Sequence, residues 1–197
     1  MRELASRERA LLDAALALLD RDDWQAVTVE QIAERAEYAK GTVYRHFPSK
    51  NDLYARLAVD WNAGTCRALE AVDAERPFEA VLRDVVGVSW RRLTADRVHA
   101  RLLQHVERED FLAGVSPETR AALADVDGRT LGLLAGLIDW GIAEGAIPKA
   151  PIEPRLFAVT ALIMGALKLH PLWGGLGGIA DPERVIAEAV LAVLRAG

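Results

Sequence analysis

No stretch of this chain sustains an alternation of apolar and polar residues, whereas apolar residues recur three and four apart along nearly its whole length. That period is helical, so the chain can bury its apolar faces only by packing helix on helix. Ala, Leu, Glu and Arg predominate and reinforce the tendency. The expected fold is all-α with about nine helices, over residues 3–20, 28–36, 40–47, 50–74, 78–93, 97–110 with a break allowed, 117–144, 154–170 and 182–195. In the first, Leu4, Leu11, Leu12, Ala15, Leu16 and Leu19 share one face. Pro117, Pro154 and Pro182 open helices, preceded by Ser116, Glu153 and Asp181, and Gly145 is a suitable stop.

At 197 residues, 51% of them hydrophobic, the chain has enough apolar material for a small head and a larger body. Its one cysteine, Cys66, allows neither an intrachain disulfide nor a cysteine metal cluster, as expected of a reducing compartment. Arg2, Glu3, Arg7, Glu8 and Arg9 interrupt any leader-like apolar run. The longest strongly apolar stretch, residues 156–167, is shorter than the ~20 residues a membrane helix needs and reads as a buried helix. A cytoplasmic protein with no membrane partner is expected.

The net charge of −5 argues against nucleic acid only until its distribution is considered. Between Tyr38 and Asn51 stand Lys40, Arg45, Lys50 and His46 with no carboxylate, a small basic patch on an acidic chain. The same window lies in a recognisable local pattern. Thr28 can cap a helix, and Gln31, three residues on, completes a capping box. That helix ends near Ala36, Glu37-Tyr38-Ala39 form a three-residue connection, and a short helix follows from Lys40 to about Phe47. Two short helices so joined make a helix-turn-helix, whose second helix enters the major groove. Pro48 ends it and Ser49 starts a long fourth helix, with Asp52 supporting its first turn. Lys40 and Thr42 can meet bases or phosphate, Gly41 removes a side chain at close approach, and Tyr44, His46 and Lys50 can donate to phosphate. Val43 and Phe47 point back into the head.

Ile32-Ala33-Glu34-Arg35-Ala36 followed by Gly41-Thr42-Val43-Tyr44-Arg45-His46-Phe47-Pro48-Ser49-Lys50-Asn51-Asp52-Leu53 resembles the DNA-binding signature of the TetR (tetracycline-repressor) family. The likeness covers roughly residues 7–56; the rest matches only in helix count and length. It implies that Lys40, Gly41, Thr42, Tyr44, His46 and Lys50 lie at the DNA surface, that Thr28 caps the second helix near a phosphate, and that Arg45 joins them. Asp23, Glu37 and Ala39 stand where the family often has glycine, the turn glycine and a capping serine or threonine. Each such loss costs on the order of 1 kcal/mol. The expected division is a DNA-binding domain over residues 1–50 and a ligand-binding and dimerisation domain over 51–197.

In the body, the helices near 154–170 and 182–195 carry more apolar surface than two peripheral helices need, and the resemblance implies that they pack against a second copy as a homodimer interface. Trp61, Cys66, Trp90, His99, Leu103, His105, Phe111, Leu134 and Trp140 are candidates to line a pocket for a small, mainly hydrophobic effector. The glycines from Gly174 to Gly178 lack the strand and the Lys-Ser/Thr of a phosphate loop and read as a connection. Cys66 with His99 or His105 can be sketched as nucleophile and base, but no spacing fixes their geometry, and His99 and His105 are six apart, on different faces. No enzyme, metal or cofactor is expected. A repressor leaving a palindromic DNA operator when its effector binds is the leading expectation; a helix-turn-helix activator, or a regulator answering to a protein, stays open.

Overall fold

The computed structural model describes residues 2–94, 96–175 and 178–196, and in residues 2, 97 and 171–175 the backbone alone. Among the described residues there are ten α-helices and no strand: α1 (Arg2–Leu19), α2 (Val29–Arg35), α3 (Lys40–His46), α4 (Lys50–Glu70), α5 (Phe78–Thr94), α6 (Arg97–Val106), α7 (Glu109–Ala113), α8 (Pro117–Ala143), α9 (Ile152–Gly175) and α10 (Pro182–Arg195). A 3-10 turn, Trp24–Ala26, follows α1. The stretch expected over residues 97–110 is two helices, because Arg108 takes an extended conformation between α6 and α7 (ψ 137°). α4 ends at Glu70, not near residue 74, where the Asp73 carboxylate accepts the Glu75 N–H (3.0 Å) and holds a turn. α9 runs on through Gly174 and Gly175, so these belong to the helix and not to the connection; Gly177 lies outside the described residues. No described helix is long and apolar enough to cross a membrane.

Packing divides the chain into two compact units, Met1–Ala63 with Asp96–Val126, and Gly64–Ala95 with Asp127–Gly197. The division at residue 50 expected from sequence is one of roles; the compact units instead share the long helices α4 and α8, each of which begins in the first and ends in the second.

In the first unit, Leu11, Leu12, Ala15 and Leu19 of α1 are buried with Trp24, Val27, Ile32, Val43, Phe47 and Leu53. Leu4, expected on that inward face, is exposed, one turn beyond where the core can cover it. Leu102, Val106 and Phe111 extend this core, and His105 inserts its ring edge-on against Trp24 (4.9 Å) and Phe111 (5.0 Å). Burial, with help from the Arg108 charge, pushes His105 below the ordinary histidine value, so it favours the neutral ring.

In the second unit, α5, α9 and α10 pack around Phe78, Leu82, Val86, Trp90, Ile163, Ile186 and Val190. α8 stops as expected at Gly145 (φ 69°), where the Ala146 N–H donates to the Gly141 carbonyl (2.9 Å). Gly141 is required for a different reason: a Cβ there would overlap the buried Phe78 ring. Gly141→Ala is therefore expected to destabilise by about 1–2 kcal/mol, overpacking outweighing the helix propensity gained. Chemical denaturation with an unchanged m-value checks it.

Candidate nucleic-acid interface

α2 begins with the capping box anticipated from Thr28 and Gln31. The Thr28 hydroxyl accepts the Gln31 N–H (3.3 Å), and the Gln31 side chain accepts the Thr28 N–H (2.9 Å). It ends in a hydrogen-bonded stop: Glu37 is left-handed (φ 59°), its N–H donates to the Glu34 carbonyl (3.1 Å), and the Tyr38 N–H donates to the Ala33 carbonyl (2.9 Å). Helices that end this way usually place glycine at the left-handed position. Glu37→Gly is thus expected to stabilise the protein by about 0.5–1 kcal/mol net of glycine's larger unfolded-state entropy. Thermal unfolding followed by circular dichroism would show a Tm rise of about 1–4 °C. Asp23, the other glycine substitute, has an ordinary backbone (φ −92°) and pairs with Arg21, so it carries no such strain.

Ala39, extended before α3, offers no side-chain cap. The faces of α3 follow from helical spacing. Val43 and Phe47, four apart, are buried; Thr42 and His46, also four apart, are half-buried; Lys40, Gly41, Tyr44 and Arg45 are exposed together. A Cβ built on Gly41 meets nothing within 4 Å, and its φ is not left-handed. The fold itself therefore gives no reason for glycine at that position.

The cations differ in what they have left to offer. Lys40 forms an ion pair with Glu30 of α2 and lies over the Tyr44 ring, 5.7 Å from its centre. The pairing holds the Glu30 carboxyl below its usual range and raises the Lys40 ammonium. The linear window contained no carboxylate; folding brings one in. The Lys50 ammonium turns inward and donates to the carbonyls of Val27 (2.9 Å) and Gln25 (3.2 Å), and burial lowers its pKa. Two of its three protons tie α4 to the turn before α2. Arg45 is exposed and makes no ion pair among the described residues.

Just past α3, a polar seam fixes the start of α4 within the first unit. Asp52 is buried, 2% exposed, and its carboxylate accepts the Ser49 hydroxyl (2.7 Å), the Ser116 N–H (3.0 Å) and the Ser116 hydroxyl. The Asn51 amide donates to the Phe111 carbonyl (3.0 Å). Sequence reading gave Asp52 only a role in its own helix; its partner 64 residues on carried no local signal.

The nine residues offered for an effector pocket do not gather in any one described cavity. In the first unit Trp61 stacks on His99 (3.7 Å, 20°), whose Nδ1 meets the Asp96 carboxylate (2.6 Å), while Leu103, His105 and Phe111 belong to the apolar core around Trp24. In the second, Cys66 is buried with its Sγ 3.1 Å from the Thr130 hydroxyl, and Trp140 packs on Phe78. Leu134 lines a cavity of about 210 Å³. Trp90 lines the larger one, about 500 Å³ between α9 and α10, together with Leu162, Ala166, His170 and Ile186. The described residues contain no cluster of His, Cys, Asp and Glu that could hold a metal ion.

A capped helix, a hydrogen-bonded turn and a second helix presenting a basic, hydroxyl-bearing face define a helix-turn-helix protein of the kind that meets duplex DNA. Residues 11–57 match the sequence model of the tetR family of bacterial regulatory proteins. The transcriptional repressor KstR of Mycolicibacterium smegmatis is 48% identical over 87 residues, 44% of this chain but 38% of that protein, so less than half of the relative is spanned. A tetR-family regulatory protein from Rhodococcus RHA1 has the same fold, with a TM-score of 0.73 at 23% identity over 96% of this chain and 95% of that one. So does the regulator FadR of Bacillus subtilis, solved with stearoyl-CoA, with a TM-score of 0.73 at 21% identity over 96% and 98%. The helix-turn-helix region of this chain, residues 11–57, is thus of the tetR type.

Proposed function

We propose that this protein is a dimeric transcriptional repressor that binds a two-fold operator through α3 and leaves it when a small, mainly hydrophobic effector binds. The observation that carries the reading is the exposed face of α3, where an unhindered glycine, a phenol and a cation lie together. Gly41 lets the helix approach base edges, the Tyr44 hydroxyl and the Arg45 guanidinium reach phosphates, and Thr42 and His46 flank them. Lys50 has one proton to spare for a phosphate, and Thr28 stands at the start of α2.

Support for a second copy comes from α9, where Phe157 and Met164 are exposed seven residues apart on one helix face and Phe157 is 76% exposed. An apolar face of this kind is suited to isologous packing, whose symmetry suits an inverted repeat in DNA. The effector's character rests on the apolar lining of the cavity beside Trp90, whose 500 Å³ falls in the range of ordinary ligand sites. FadR of Bacillus subtilis was solved with stearoyl-CoA, and a long apolar ligand would suit this lining as well. Because α4 and α8 each run from the first unit into the second, an effector that shifts either helix changes the spacing of the two α3 helices in the dimer. Its power to do so is limited by its differential affinity for the two states.

An electrophoretic mobility shift with duplex taken from the flanks of the protein's own gene tests this. The native protein should retard it, and Arg45→Ala should weaken retardation and reduce the salt dependence by about one phosphate contact. No retardation at any salt, or binding indifferent to Arg45→Ala and Tyr44→Phe together, would overturn the reading.

A further inference from the structure

We infer that Glu30 is a built-in competitor for Lys40, which silences that cation toward phosphate in general and reserves it for DNA able to displace a carboxylate. The inference rests on α3 being the DNA-binding helix. Glu30 stands in the first turn of α2 and Lys40 in the first turn of α3, and their side chains meet across the open side of the helix-turn-helix. Both ends are exposed, so nothing but the carboxylate itself occupies the ammonium on that side. A phosphate approaching Lys40 must replace an anion already in place and accept the repulsion of the one it displaces. The usual gain on neutralising a phosphate, release of a condensed counterion, is then cancelled by a carboxylate left bare. Of the four basic groups between Tyr38 and Asn51, Lys50 keeps one proton beyond its two carbonyls and Lys40 is turned to Glu30, so sequence-independent attraction falls to Arg45, His46 and what Lys50 retains. Glu30 thereby sets the gap between specific and non-specific binding. It is a specificity-determining residue that need not touch DNA.

The test uses the full chain and a mixed-sequence 24-base-pair duplex, with binding followed by fluorescence anisotropy from 50 to 200 mM KCl. Four proteins are compared: native, Glu30→Gln, Lys40→Ala, and the double variant. Glu30→Gln should bind tighter at low salt and steepen the slope of log K against log salt by about 0.9, an extra three- to four-fold loss over that salt range. The double variant should bind no tighter, and with no steeper a slope, than Lys40→Ala alone, so that the whole gain disappears without the lysine. A slope unchanged by Glu30→Gln overturns the inference, as does a gain that survives in the double variant, which would mark a diffuse charge effect. If none of the four proteins binds the duplex at any salt, the DNA-binding reading itself has failed. Circular dichroism before each titration separates a folding defect from either outcome, and Glu30→Ala with a native-like spectrum then serves as the second charge-removing variant.

Discussion

Gly41→Gln is expected to make the protein more stable and a worse DNA binder at once. The first half follows from the helix: Gly41 has an ordinary φ, lies inside α3, and has open space where a side chain would go. A better helix former there should gain about 0.5–1 kcal/mol, a Tm rise of about 1–4 °C for a chain of this size. The second half follows from the same open space. If α3 lies in the major groove with Lys40, Tyr44 and Arg45 facing it, a five-heavy-atom side chain between them holds the helix off the base edges. The loss should exceed ten-fold in affinity, with Gly41→Ala intermediate. Opposite signs in the two measurements are hard to obtain from a residue that matters only to folding. A stability gain with affinity unchanged would place the contact surface elsewhere.

The largest loss of stability is expected from Asp52→Ala. The buried carboxylate takes three hydrogen bonds from Ser49 and Ser116; the alanine strips the Ser116 N–H of its acceptor and leaves the two hydroxyls only the Gly114 carbonyl (3.3 Å) and the Thr119 hydroxyl (3.0 Å). A cost of about 2–4 kcal/mol follows, or a fall in Tm of about 8 °C. The pH dependence gives the prediction a sign. Burial alone would raise the Asp52 carboxyl, but the hydrogen bonds from Ser116 and Ser49 outweigh it and hold the group below its ordinary value. A carboxyl depressed in the folded state contributes its full stabilisation above the unfolded pKa of about 4 and loses it as pH falls through the folded value. The gap between native and Asp52→Ala should therefore be constant at neutral pH and narrow below about pH 4. Since Asp52 also fixes the start of α4 immediately after the recognition helix, the variant should lose DNA affinity even where it remains folded.

What could be read from the chain beforehand was whatever is written within one or two helical turns. The Thr28 and Gln31 capping box, the inward Val43 and Phe47 and the stop at Gly145 follow from neighbours a few residues away, whereas the left-handed Glu37 follows from the family's turn glycine at that position. Asp23 shows the limit of carrying a family's glycine across: its backbone avoids the left-handed region altogether. The features that decide the electrostatics were not legible. Glu30 lay outside the window in which the basic patch was counted, and the inward turn of Lys50 depends on where the carbonyls of Gln25 and Val27 come to rest. The effector residues fared differently because an aromatic ring in a core and one lining a cavity obey the same helical period. His105 and Phe111 belong to the packing around Trp24, while Trp90 stands at a cavity wall.

Selection from a pool of random duplexes, followed by hydroxyl-radical footprinting of the winners, measures most directly whether α3 reads DNA as one half of a pair. Enrichment of an inverted repeat, protected on two patches about one helical turn apart and lost with Gly41→Gln, is the expected result. Failure to enrich any sequence, or protection of a single unpaired site that Gly41→Gln leaves intact, would contradict it.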